Sequence, residues 1–273
     1  MLSRLDLMNQ ITASDAAGTQ TLARAVAVLK HLGTGGPTGL RVGDVQEALG
    51  LTRPTAYRIL NALVQHGFTA RDPSGRRYLL GPELAILARA AVTHSLDLQK
   101  LCQNDVIELA RQTGDTTFLM VRSGFELVCF DLKNGSYPIQ TMTAAIGTRR
   151  PVGIGAAGVA VLAALDEEEA QEALKACRAR LGDYARASDT AIVTALRHAR
   201  ERGYALSVGT VHESVSGLAV AILDKREPIA ALLVTSITER ISAARIPGIV
   251  ALLNKHKSII ERKLLQHHAS MAA

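Results

Sequence analysis

The chain has no tryptophan, and aromatic residues make up only 3% of its 273 positions. Surfaces that grip sugars or single-stranded nucleic acid by ring stacking need many flat faces, so those binding modes are disfavoured. Cysteine is also scarce, with Cys102, Cys129 and Cys177 the three present. They are far apart, odd in number and lack metal-ligand spacing. This argues against a disulfide framework or structural metal and for a reducing, cytoplasmic setting. The longest mostly apolar run, Pro151–Leu165, is too short and glycine-rich for a membrane span. No secretory leader is expected either, because Leu2–Asn9 contains Arg4 and Asp6 and has no continuous apolar stretch. A soluble protein without a membrane partner is the expectation.

What is present is ordinary for a globular protein: 48% hydrophobic and 21% charged residues, in a chain long enough for one large domain or two small ones. The core must be built from Leu, Val, Ile and Ala. The net charge of +6 is unevenly placed. Residues 1–95 carry ten basic and six acidic side chains, nine of the ten being Arg, against 21 and 19 in the remainder. A mildly basic small domain beside a nearly neutral larger one suits a nucleic-acid reader.

Organisation along the chain sharpens this. Residues 1–18 are ragged and polar and are expected to form a flexible extension. From Thr19 the pattern becomes helical, with Leu22, Val26 and Leu29 spaced to share one face. Gly33–Gly39 must be a loop. Val42, Val45 and Leu49 mark a short helix stopped by Gly50. Thr52 is a good N-cap for a third helix, Pro54 sits harmlessly in its first turn, and Ile59, Leu60, Leu63 and Val64 form its apolar stripe. Gly67 stands where a C-cap glycine belongs. Phe68–Arg71 and Arg76–Leu80 then flank Asp72-Pro73-Ser74-Gly75, whose residue order predicts a type I turn between two strands. Two helices joined by a tight turn, followed by a hairpin, make a winged helix-turn-helix over 19–81. Pro82 opens a helix that would link it, over 82–94, to the rest.

Beyond His94 the expected order is a helix over Leu98–Gln112, then strands Thr116–Val121, Phe125–Leu132 and Tyr137–Thr143. Helices Gly155–Leu165, Glu167–Leu181 and Asp189–Arg202 follow, then strands Tyr204–Val208, Gly217–Leu223 and Pro228–Thr235. A helix Ile249–Leu265 closes the domain, leaving a tail over 266–273. This predicts an α+β domain over 95–265 with a mainly antiparallel sheet flanked by helices.

The major groove admits one α-helix, whose first turns meet base edges. In the third helix Thr52, Arg53, Thr55 and Tyr57 lead, with Arg58 a turn on. Arg53 has the fork that pairs with guanine. Arg71, Arg76 and Arg77 in the wing, and Arg24 on the first helix, would neutralise phosphates. Any one of these arginines alone reads equally well as a solvated face; the set, with the helix order and the wing, does not.

Three segments carry a resemblance: Thr19–Leu29, Gly50–Phe68 and Arg77–Pro82. With Gly203-Tyr-Ala and Glu213-x-x-x-Gly217, the sequence resembles the IclR family of bacterial transcription regulators over residues 19–265. The resemblance implies a winged helix-turn-helix, a linker helix and a GAF-like domain that binds a small effector. It also implies homodimers or homotetramers on a pseudo-palindromic operator in double-stranded DNA, and no cofactor beyond the effector. Ligand contacts carried over from the family fall on Gly155, Ala156 and Ala157, on Thr210, Glu213 and Val220, and on Leu233 and Thr235. His212, beside Glu213, would join them. Leu233 and Ile237 stand where the family has more polar or proline-containing sequence, which implies a less polar ligand such as an aromatic or longer-chain organic acid.

Gly153-Ile-Gly155-Ala-Ala-Gly158 also matches a dinucleotide-binding glycine pattern. That fingerprint needs an apolar parallel strand before it, whereas Gly147-Thr-Arg-Arg-Pro-Val precedes it here, and no acidic residue ends a second strand at the right distance. The glycines serve either to bring a helix N-terminus close to an anion or to let that helix pack on the sheet. An enzyme with an accessory DNA-binding module is the alternative reading. Against it, no nucleophile elbow, phosphate loop or acid–base pair is evident. A purely architectural DNA-binding protein would leave the larger domain without a purpose.

Overall fold

The computed structural model describes residues 19–91, 95–184 and 186–272, and the chain divides into two compact units after His94. The extension expected over 1–18 and the end of the linker helix, 92–94, lie outside the described residues.

In the first unit α1 (Gln20–Leu32), α2 (Val42–Leu49) and α3 (Arg53–Gln65) pack around Val28, Leu32, Val45, Leu49, Ile59 and Leu60. Gly50, in the left-handed conformation, ends α2. The wing strands are β2 (Thr69–Arg71) and β3 (Arg77–Leu80). A further strand, β1 (Leu40–Arg41), joins β3 on its other side. Two residues are too few to show periodicity, so this strand was invisible in the sequence. The turn between β2 and β3 closes as expected, with Gly75 N–H donating to the Asp72 carbonyl at 2.8 Å. The Asp72 carboxylate adds bonds from Ser74 Oγ at 2.6 Å and from the Arg76 and Arg77 amides at 2.9 Å. The Ser74 bond and those amides hold its carboxyl below the usual carboxylate range. Helix α4 (Pro82–Ala91) follows, opened by Pro82.

The helix expected from Thr19 is α1, and its buried side is not the one that Leu22 and Val26 share. Leu22 and Val26 are 66% and 41% exposed, while Ala27, Val28 and Leu32 are buried. The helix is apolar on two sides, and the side that meets α2 and α3 is set by packing.

The second unit is built on a six-stranded sheet in the order β6-β5-β4-β9-β8-β7, every pairing antiparallel. Its strands are β4 (Thr116–Ser123), β5 (Glu126–Lys133), β6 (Arg149–Pro151), β7 (Ala205–Val208), β8 (Val215–Asp224) and β9 (Glu227–Ile237). One face packs on α5 (Ser95–Thr113) and α9 (Ile246–Ala272) through Val106, Leu109, Leu253 and Ile260. The other packs on α6 (Gly155–Ala164), α7 (Glu167–Arg178) and α8 (Asp189–Arg202). Successive strand residues feed opposite cores, as the period of two requires. Among the described residues no helix is long and apolar enough to cross a membrane.

Two expectations fail here. Tyr137–Thr143 is not a strand; residues 134–148 cross the sheet end as an irregular segment, and the third strand of this region is β6, further on. The segment is captured elsewhere: Tyr137 N–H donates to the Gly114 carbonyl at 2.9 Å, and Gly135 lies so near Gly114 that a Cβ there would sit 2.1 Å from its carbonyl carbon. Pro138 cannot donate to a ladder either. The tail expected over 266–273 is also helical as far as Ala272, continuing α9, with His268 Nε2 3.4 Å from Asp224 Oδ2.

At the junction of α5 and β4 the Asp115 carboxylate, fully buried, takes Arg240 Nε at 2.6 Å and Arg245 Nη2 at 2.8 Å. Ser236 Oγ donates to it at 2.8 Å, and Tyr137 stacks 4.0 Å from the Arg240 guanidinium. Removing one member of a buried ionic cluster strands the others. Asp115→Asn is expected to lower unfolding free energy by about 3 kcal/mol, read by chemical denaturation. The β8–β9 hairpin turns through Lys225 (φ 49°) and Arg226 (φ 83°), both in a region that favours glycine. Arg226→Gly should raise the melting temperature, relieving about 1 kcal/mol of strain; no rise would show that the turn is unstrained.

Candidate nucleic-acid interface and ligand cavity

Helix α3 turns its apolar stripe inward and its opposite side to solvent. Ile59 and Leu60 are buried in the three-helix core, Thr52, Arg53, Tyr57 and Arg58 are exposed, and Thr55 is half-buried. Thr52 occupies the N-cap position in extended conformation, but its hydroxyl bonds the Thr55 hydroxyl at 2.9 Å rather than a backbone amide. The first-turn amides of α3 thus keep no side-chain cap, which suits a phosphate oxygen. Arg53 lies 5.8 Å from the Tyr57 ring centre.

The wing arginines divide by role. Arg76 is exposed beside the turn. Arg71 donates to Asn61 Oδ1 at 2.7 Å and lies 5.5 Å over the Tyr78 ring, tying the wing to α3. Arg77 is half-buried and donates to the Gly39 carbonyl at 3.0 Å, so it braces the wing against the preceding loop. Arg24 is half-buried too, its Nε shut away from solvent without a hydrogen-bond partner among the described residues. Of the four phosphate candidates, Arg71 and Arg76 are exposed, and Arg71 is already engaged with Asn61. Asn61, exposed on α3 and bonded to Arg71, was missed; it lies four residues beyond Tyr57, on the same helix face.

The second unit contains a cavity of about 470 Å³, its open mouth included. Met120, Leu127, Ile154, Val211, Val215 and Leu233 supply apolar walls. Thr143, Arg150, Ser207, Ser216 and Thr235 supply the polar ones. Gly155, Ala156 and Ala157, at the uncapped N-terminus of α6, close one end. Of the two uses of the glycine pattern, close packing is the one the backbone displays. Gly155 borders the cavity, while a Cβ on Gly158 would sit 2.9 Å from Gly153 N and 3.1 Å from the Pro151 carbonyl, so this position packs helix on backbone.

Five expected contacts, Gly155, Ala156, Ala157, Leu233 and Thr235, therefore line one cavity. Three others do not. Val220 is buried on the opposite face of β8, among the residues that meet α5 and α9; strand alternation sends Val215 and Gly217 to the cavity instead. Glu213 is exposed and paired with Arg186 at 3.0 Å, its charge held in solvent where it costs least. Thr210 is half-buried and outside the lining, where its neighbour Val211 stands. His212 is exposed as well. Arg150 was missed: it sits in a short edge strand, and two successive arginines on a strand must point to opposite faces, one of them inward. Among the described residues no group of three His, Cys, Asp or Glu side chains could hold a metal ion.

Comparison with known proteins bears on both units. Residues 21–73 match the family model "IclR helix-turn-helix domain", and residues 90–262 match "Bacterial transcriptional regulator IclR C-terminal". The chain is 30% identical over 229 residues to the HTH-type transcriptional regulator XynR of Escherichia coli (strain K12), covering 83% of this chain and 90% of that one. It is 33% identical over 230 residues to a glycerol operon regulatory protein of Streptomyces coelicolor, covering 83% and 88%. An IclR transcriptional regulator from Alicyclobacillus acidocaldarius superposes with a TM-score of 0.71 at 24% identity, over 89% of this chain and 98% of that one. An IclR homolog from Microbacterium hydrocarbonoxydans complexed with 4-hydroxybenzoate gives 0.71 at 24% identity, over 90% and 99%. At such identity the structural likeness speaks for the fold alone.

All three cysteines are buried. Burial raises the Cys129 and Cys177 thiols to about 11, the charge of Arg150 offsetting only part of the effect at Cys129, and raises Cys102 to about 12. The nucleophile is the thiolate. At neutral pH the native protein should therefore react with an aromatic disulfide reagent only as fast as it unfolds. Rapid labelling without denaturant would contradict this.

Proposed function

Because this chain belongs to the IclR family of bacterial transcriptional regulators and carries its DNA-binding helix-turn-helix, we propose that it is a sequence-specific regulator whose operator affinity is set by an organic acid bound in the second unit. The observation that carries the DNA half is the exposed leading edge of α3, Thr52, Arg53, Tyr57 and Arg58, presented by a helix whose other side is the core. A groove-reading helix needs that division. The cavity of the second unit supports the other half. It joins apolar walls to one cation and an uncapped helix N-terminus, which fits a carboxylate on an apolar body. A relative's complex with 4-hydroxybenzoate is of the same chemistry. Ligand binding changes operator affinity only by the difference in ligand affinity between the two states of the regulator.

A homodimer or homotetramer on a pseudo-palindromic operator completes the reading. Leu22 and Val26 on α1, and Ile86 and Leu87 on α4, are exposed apolar residues of the DNA-binding unit that pairing of two copies would cover. The family's character as regulators, with neither a Gly-x-Ser-x-Gly elbow nor a phosphate-loop motif in the sequence, disfavours the enzyme alternative; turnover of a bound acid by purified protein would revive it.

The test begins with selection of bound duplexes from a random pool, followed by binding across salt concentrations. Arg53→Ala is expected to lose about 1–3 kcal/mol at one operator position and to relax specificity there. Arg76→Ala should weaken all sequences alike and flatten the salt slope by about one. Equal, sequence-blind losses from both would show that α3 is not the reading helix.

A further inference from the structure

Among the described residues, Arg150 is the one basic residue lining the cavity, and no carboxylate lines it. Its neighbour on β6, Arg149, is neutralised: Glu126 takes Arg149 at 2.9 Å and Arg180 at 2.8 Å. Arg150 faces the other way, and its guanidinium donates to the carbonyl of Thr143, a neutral acceptor. Burial pushes this guanidinium below its ordinary value, with Tyr184 and Cys129 nearby pulling in the opposite direction; it remains cationic at neutral pH. Arg150 is half-buried and pairs with no carboxylate among the described residues; a cation so placed is costly, and an anion entering the cavity would lower that cost.

The acceptor belongs to the irregular segment 134–148. A second cavity residue, Thr235, holds the same segment, its hydroxyl 2.7 Å from that of Thr141. Backbone bonds to Gly114 and Cys129 hold the ends of this segment, and the two cavity-lining groups pin its middle, where Ile139, Met142 and Ile146 are 53%, 63% and 66% exposed.

Resting on the reading of this cavity as the effector site, we propose that Arg150 is the specificity-determining residue that binds the effector's carboxylate, and that it exchanges the Thr143 carbonyl for it, so that ligand entry unpins the 134–148 segment. A carboxylate offers the guanidinium two charged acceptors in place of one neutral one, which decides the exchange. The uncapped N-terminus of α6, at the same cavity, favours the same sign of charge.

The test uses the full chain and matched probes of equal shape, benzoates against benzamides and short alkanoates against their amides, by titration calorimetry. In the unsubstituted protein the acid of at least one pair should bind about ten- to a hundredfold more tightly than its amide. Arg150→Met should erase that preference and Arg150→Lys should retain most of it. Hydrogen exchange across 134–148 should rise on binding of the acid but not the amide, and should already be raised in unliganded Arg150→Met. Val211→Phe, which narrows the cavity, should weaken acid and amide alike. If acid and amide bind equally, or if Arg150→Met keeps the preference, while Val211→Phe still blocks binding, the role of Arg150 is overturned and the cavity reading stands. If Val211→Phe leaves binding intact, the ligand sits elsewhere and both fall. Binding of no pair by a chain with a normal melting transition also overturns both. Unchanged exchange in 134–148, with the acid preference intact, overturns the unpinning.

Discussion

Two-sided burial of the central strands is the constraint on which the second unit rests. Strands β8 and β9 are covered on both faces, so neither can carry the polar alternation of a half-exposed strand. The two faces are nevertheless unlike. Leu218, Val220, Ile222, Leu232 and Val234 fill the side against α5 and α9. The side against α6 carries Gly217, Ala219, Ala221 and Ala231 beside Leu233. Small side chains under a helix leave space that close packing removes on the other face. Of these residues, Gly217 and Leu233 line the cavity, and the three alanines pack in the core beside it.

The polar groups follow from the same geometry. Where β9 ends, Ser236 turns to the Asp115 cluster and Thr235 turns to the cavity. Tyr137 links that cluster to the irregular segment, and Thr141 and Thr143 link the segment to Thr235 and Arg150. One stretch of chain is therefore fixed at a buried ionic cluster on one side and at the cavity on the other.

The DNA-binding unit obeys a simpler economy. Its core is eleven buried residues around three short helices, with Tyr78 of β3 the largest of them. So small a core leaves most arginines outside, and their roles are sorted by the nearest acceptor. Arg77 finds the Gly39 carbonyl and Arg71 finds Asn61, while Arg76 stays in solvent. Composition marks all three as basic wing residues; neighbours distant in sequence separate braces from free cations.

Local chemistry was legible without coordinates. Gly50 ends a helix, Asp72–Gly75 makes a turn, Pro82 opens a helix, and the bounds of α8 and the stripe of α3 were read from caps and periodicity, because these depend on residues within a turn or two of one another. Parity and partner choice were not. Val220 was assigned to the ligand though it faces the other core, and Tyr137–Thr143 was read as a strand though Gly114 captures it. Arg150 was seen only as a charge that spoiled a nucleotide motif. In each case the deciding contact lies far along the chain, where no local pattern reaches. The sequence by itself determined the kind of protein, two units with a helix-turn-helix in the first. Only tertiary structure decided which face of each element looks inward, because burial is settled by what packs opposite and not by the element that is buried.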